Sequence, residues 1–131
     1  MYNFKSLLLA TGFFALVSIA LIAGDCTPEI YTRKETPITQ WAVFTCAVKA
    51  WGDNAKSAAC LRDAYNINQA CANCFANFTT CAYKNCTGRE KPCGTMGTKG
   101  FSPECASCVM DICTNNFNQC SGLEGLPPSK F

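Results

Sequence analysis

The chain has 131 residues, twelve of them cysteine and none of them histidine. Its 11 Lys and Arg against 9 Asp and Glu leave a net charge of only +2, with the cations scattered, so no basic stripe exists to track a nucleic-acid backbone. The length leaves room for one domain, and the missing imidazole removes the base that Ser-His-Asp and Cys-His nucleophiles need.

Met1–Gly24 opens with one cation, Lys5, and continues as an almost unbroken apolar run from Leu7 to Ala23, which Asp25 and Cys26 end. A positive start, an apolar middle and small residues at Ala23 and Gly24 are the parts of a secretory signal. About 17 apolar residues also reach the lower limit for a bilayer-spanning helix. A retained N-terminal hydrophobic helix, acting as a membrane anchor, is therefore the alternative. In both cases Lys5 keeps to the cytosolic side, and residues 25–131 lie on the opposite, oxidising side.

After an irregular approach over 27–35, Thr36-Pro37 reads as an N-cap followed by Pro at the first helical position. Gly52 is a natural stop, which predicts a first helix near 37–51. On it Val43, Cys46, Ala47 and Ala50 share one face, and Trp41, Phe44, Val48 and Trp51 line the next. Asp53 or Asn54 caps a second helix near 54–65, and Asn66-Ile67-Asn68 breaks it. A third helix runs near 69–85. Ser102-Pro103 repeats the cap-then-Pro signal and opens a fourth near 103–120, with Gly122 placed for a left-handed cap and Leu123 for folding back on Phe117. Between the last two lies a mildly basic, glycine-rich loop over 87–101, pinned by Cys93. No segment alternates as a strand would. The expected fold is all-α: a small disulfide-rich bundle of about four helices behind the N-terminal hydrophobic segment.

The cysteines form an approximate two-unit repeat. Cys71-Ala72-Asn73-Cys74 is followed after eleven intervening residues by Cys86, and Cys105-Ala106-Ser107-Cys108 after eleven by Cys120. Cys60 and Cys93 precede the units, and Cys81 and Cys113 lie inside them, where the spacing differs. With Cys26 and Cys46 the count is even and allows full pairing, although about ten thousand connectivities are open. Helical spacing puts Cys71, Cys74, Phe75, Phe78, Cys81 and Ala82 on one face. It does the same for Cys105, Cys108, Val109, Ile112, Cys113 and Asn116. Two such faces packed together form a thin core of apolar side chains and disulfides, which suits a domain with few large aliphatics.

Two CxxC pairs can also hold zinc through four thiolates. Twelve cysteines behind a secretory-type leader favour disulfides instead, and no strand–helix setting accompanies a redox reading. No metal or cofactor is expected. The nine acids show no spacing or apolar setting that suggests a perturbed carboxyl pair, and helical secreted phospholipases need a catalytic histidine, so an enzyme is not expected. Two N-x-[ST] sequons, at Asn77 and Asn85, are glycosylation candidates if the chain enters the secretory pathway, Asn85 being nearer a helix end. Trp41, Phe44 and Trp51 either fill the core or offer a contact to a partner, lipid or membrane.

The cysteine spacing lacks the CC and CxC pairs of plant lipid-transfer proteins and differs from the six-cysteine pattern of saposins. In kind (leader, many cysteines, no enzyme residues) the chain is similar to the small helical, disulfide-rich pheromones of ciliates, a likeness that implies a secreted helical module. The expected function is a non-catalytic interaction module in the extracellular space or secretory lumen. A protein partner is favoured, a lipid ligand is admissible, nucleic acid is excluded, and a membrane is a partner only if the leader is retained. The alternative is an accessory subunit of a larger assembly, held by an uncleaved leader.

Overall fold

Side-chain caps decide where each helix begins. In a computed structural model that describes residues 26–99 and 102–127, four α-helices follow one another: α1 Gln40–Lys49, α2 Asn54–Tyr65, α3 Gln69–Cys86 and α4 Pro103–Ser121. Short 3-10 turns cover Pro28–Tyr31 and Thr95–Gly97, and no strand occurs among the described residues. The leader lies outside them. Thr39, Asp53, Asn68 and Ser102 each accept a hydrogen bond from the backbone N–H three residues on, at 2.7–3.2 Å. Each satisfies one of the donors that the first helical turn leaves unpaired. At the other ends Asn66 (φ 47°) and Gly122 (φ 73°) take the left-handed conformation that closes α2 and α4.

The first helix departs from the expected 37–51. Thr36 has φ 46°, the left-handed region, and cannot act as an extended N-cap. Ile38 is fully buried, and its N–H donates to the Ile30 carbonyl at 2.7 Å, so the chain stays extended until Thr39. Burial of an isoleucine, worth about 1.5–3 kcal/mol, overrides the local Thr-Pro signal. At the far end the helix stops at Lys49, and Trp51 (φ 52°) and Gly52 (φ 79°) make a left-handed reversal into α2.

The core sits where α3 crosses its neighbours. Phe75 is fully buried, with its ring 4.9 Å from that of Phe117, and Phe78 lies 5.4 Å from Phe117. Ile38, Leu61, Ile67 and Leu123 complete the cluster, and Leu123 returns over Phe117 beyond the α4 cap. Tyr31 meets Phe75 edge-on at 6.4 Å. On α4 the packed face differs from the expected one. Cys105, Cys113, Phe117 and Ser121 are buried, whereas Ile112 is 47% exposed and Asn116 also faces out. Residues four apart align along a helix, so the row 105-109-113-117-121 meets α3 and position 112 falls beside it.

All twelve cysteines are paired: 26–71, 46–60, 74–120, 81–113, 86–108 and 93–105. Three of the six link α3 to α4 as rungs of a ladder. Seven residues separate the first two rungs on each helix and five separate the next two, so the helices run antiparallel in one constant register. In both units the second cysteine of the CxxC pair bonds the last cysteine of the other unit. The two cysteines of each CxxC pair thus reach different partners.

The loop after α3 is a bonded turn. Cys93 N–H donates to Cys86 O (2.9 Å), Gly88 N–H to Gly94 O (3.0 Å) and Lys99 N–H to Cys93 O (2.9 Å). Gly94 has φ 69°, and a Cβ there would meet the Thr98 hydroxyl at 2.7 Å, so glycine is required. The molecule is a disulfide-rich helical bundle of the kind found in oxidising compartments.

Candidate functional site

Three helices leave a groove uncovered. The first half of α3 is buried on several sides at once, by Cys71, Ala72, Cys74, Phe75 and Ala76. From Phe78 to Asn85 its residues are half-buried or exposed, and only Cys86 at its end is buried again. The resulting groove, about 660 Å³ in volume, runs along α3 from Phe75 to Thr87. Val43, Ala47 and Val48 of α1 form one wall, and Ala106, Val109 and Met110 of α4 form the other. Leu126 and Pro127 close one end, where the Gln40 amide donates to the Pro127 carbonyl at 3.1 Å. Cys93 and Gly97 close the other.

Large apolar side chains stand exposed on the rim. Trp51 is 83% exposed, and Val48, Tyr83 and Met110 are each more than half exposed. The polar groups in the walls are engaged within the protein. Thr79 donates to the Ala76 carbonyl at 2.8 Å, and Thr87 donates to that of Tyr83. The Asn54 amide donates to both Asn77 Oδ1 and Thr80 Oγ1 at 3.0 Å. Ser57 is the exception, with a buried hydroxyl that has no partner. Lys84 and Asp53 are the charged residues among the described lining, and Asp53 is occupied as the α2 cap.

The expected aromatic stripe splits. Trp51 stands on the rim, Phe44 is half-buried in the groove wall, and Trp41 is about half exposed with its ring 5.8 Å from that of Phe44. Tyr83 and Met110 escape the sequence reading because each stands one position beyond a residue expected in the packed face. A large apolar residue just off a packed stripe is the signal that finds them.

A smaller cavity of about 370 Å³ lies beside the first 3-10 turn, among Cys26, Glu29, Arg33, Asn66 and Asn68. Its cation is already committed. Arg33 donates to the carbonyls of Thr36 (3.0 Å), Asn66 (3.3 Å) and Tyr65, so it caps the end of α2.

Among the described residues few titratable groups are shifted from their ordinary range. Arg62, hydrogen-bonded to Asp63 at 2.8 Å, holds that carboxyl below its ordinary range, but the pair lies on the exposed surface. Burial pushes the Tyr31 phenol well above its ordinary range. No group of three or more metal-ligating side chains occurs among the described residues. No helix among them is long and apolar enough to cross a membrane. Asn77 and Asn85 are both exposed on α3. The Asn85 amide donates to the Cys81 carbonyl at 2.9 Å, and the sequon's middle residue, Cys86, is buried in its disulfide. Compared with protein-family models, curated proteins and solved structures, the chain finds no match.

Proposed function

We propose that the chain is a secreted, non-catalytic interaction module. Its leader is removed near Gly24, and its disulfide-locked helices present the α1–α3–α4 groove to a protein partner. The observation that carries this reading is the groove itself: an apolar trough whose rim keeps Val48, Trp51, Tyr83 and Met110 in water. Exposed apolar surface of this kind is characteristic of interaction sites, and aromatic and Met side chains are enriched there. A scaffold held by six cross-links loses little freedom on binding, which favours affinity. The absence of histidine and the pairing of every thiol both support a non-catalytic role. Passage through the secretory pathway would open the Asn77 and Asn85 sequons to glycosylation.

The test is the intact mass of the native protein, before and after treatment with a thiol-alkylating reagent. A mass beginning near Gly24 or Asp25, once any N-glycan is removed enzymatically, with no alkylation supports the secreted module. A mass that includes residues 1–24 overturns it in favour of an anchored accessory subunit. Four or more alkylated thiols overturn it in favour of metal or redox chemistry.

A further inference from the structure

We infer that the groove seats an acidic amphipathic helix of about three turns, supplied by a protein partner. This rests on the interaction reading above and names the chemistry of its partner.

Length comes first. Phe75 of α3 and Thr87, the residue that follows it, both line the groove, and at 1.5 Å per residue that span is about 18 Å. A helix of about twelve residues fills it. Width favours the same occupant. The trough opens to solvent between α1 and α4, so a single acyl chain lying in it would leave its own outer side and Trp51 wet. A helix is about 10–12 Å across with its side chains and covers both floor and rim. Apolar residues at i, i+3, i+4 and i+7 would meet Val43, Phe78, Ala82 and Val109 below, with Trp51 and Tyr83 clasping the sides.

Charge sets the sign. The lining itself is balanced, with Lys84 against Asp53, and the segments bordering it carry Lys49, Lys56, Arg89, Lys91 and Lys99 against Glu90, Glu104 and Asp111. The other described residues reverse the balance, with three cations against four acids. The cations therefore gather toward the Cys93 and Gly97 end of the groove although the chain as a whole is nearly neutral. Lys91 reinforces this end, because its Nζ donates to the Lys84 carbonyl at 2.8 Å and so sits at the terminus of α3. Acidic flanks on the occupant complement this field, and basic flanks oppose it.

The experiment uses the native, disulfide-bonded protein and two designed peptides of about fourteen residues. Both carry the same leucines at i, i+3, i+4 and i+7, with glutamate flanks in one and lysine flanks in the other. Tryptophan fluorescence and calorimetry follow binding. The glutamate peptide is expected to bind at least about tenfold more tightly, and the gap should narrow as salt is raised. Trp51→Ser should weaken it at least about tenfold with the circular dichroism unchanged, and Lys84→Glu should shrink the gap between the peptides. Equal binding of the two peptides overturns the charge argument. Binding of neither overturns the proposal, as does binding to phosphatidylcholine–phosphatidylglycerol vesicles without binding of the glutamate peptide. These failures, on protein whose mass and thiol count are as expected above, leave the secreted-module reading standing.

Discussion

Removing the Cys81–Cys113 rung, as Cys81→Ala with Cys113→Ala, should cost less than the span of its loop suggests. Taken alone, a cross-link with a sequence separation of 32 restrains the unfolded chain by about 3.7 kcal/mol. Its neighbours already hold these positions close. From Cys81 five residues lead to Cys86, which is bonded to Cys108, and five more lead to Cys113. The effective loop is about ten residues, and closing it is worth about 2.7 kcal/mol on the same chain-entropy basis. The Cys26–Cys71 bond has less support. Its separation is 45, and the shortcut through Cys46–Cys60 still leaves twenty residues before and eleven after, which keeps its worth at about 3.7 kcal/mol. Cys71 is also buried where Cys81 is half-buried, so lost packing adds in the same direction. Urea unfolding followed by circular dichroism, with the other disulfides intact, reads the difference. Cys26→Ala/Cys71→Ala should lose at least about 1 kcal/mol more than Cys81→Ala/Cys113→Ala. Equal losses, or a larger loss for the middle rung, would refute the idea that adjacent rungs share one constraint.

Phe75→Ala should cost about 3–5 kcal/mol, because its ring is fully enclosed against Phe117 and Tyr31. Trp51→Ser in the same urea assay should change stability by no more than about 0.5 kcal/mol, and a larger loss would mean that the rim is structural. Asn68→Ala and Ser102→Ala each remove a cap bond and should each lower stability by about 1 kcal/mol. The Tyr31 phenol is held above its ordinary value of about 10 by burial, so the fold favours the neutral form. Its contribution is intact below that value and falls as pH rises above it. Tyr31→Phe should therefore flatten the loss of stability above about pH 10, and an unchanged slope would reject the assignment.

Much of the fold was legible in local chemistry. Ser102-Pro103, the Asn66–Asn68 break and Gly122 act through groups within one turn of themselves, so their roles follow from sequence. Thr36-Pro37 fails because the deciding contact, Ile38 against Ile30 in the core, is tertiary. The cysteines held more information than a count of repeats yields. Read as two copies in the same direction, the interior cysteines are out of step: Cys74 to Cys81 is seven residues and Cys108 to Cys113 is five. Read in opposite directions, both helices give seven then five, and that is the register of the ladder. The pairs 26–71, 46–60 and 93–105 lack such a key, since they join segments whose approach depends on the turns between them.

The groove was less legible, because it is a gap, and a gap depends on how helices are placed in space rather than on which residues they carry. Its walls are also held unequally. α4 is cross-linked to the floor helix α3 at three levels, whereas α1 has one disulfide, Cys46–Cys60, and that leads to α2. α2 in turn meets α3 through packing and through the Asn54 bonds to Asn77 and Thr80. The start of α1 is held by Ile38, just before it, in the core and by Gln40 on Pro127, and its far end by the buried Cys46 and Ala50. The ladder fixes the floor and one wall, and the wall that has no rung to the floor ends in the most exposed aromatic side chain of the rim.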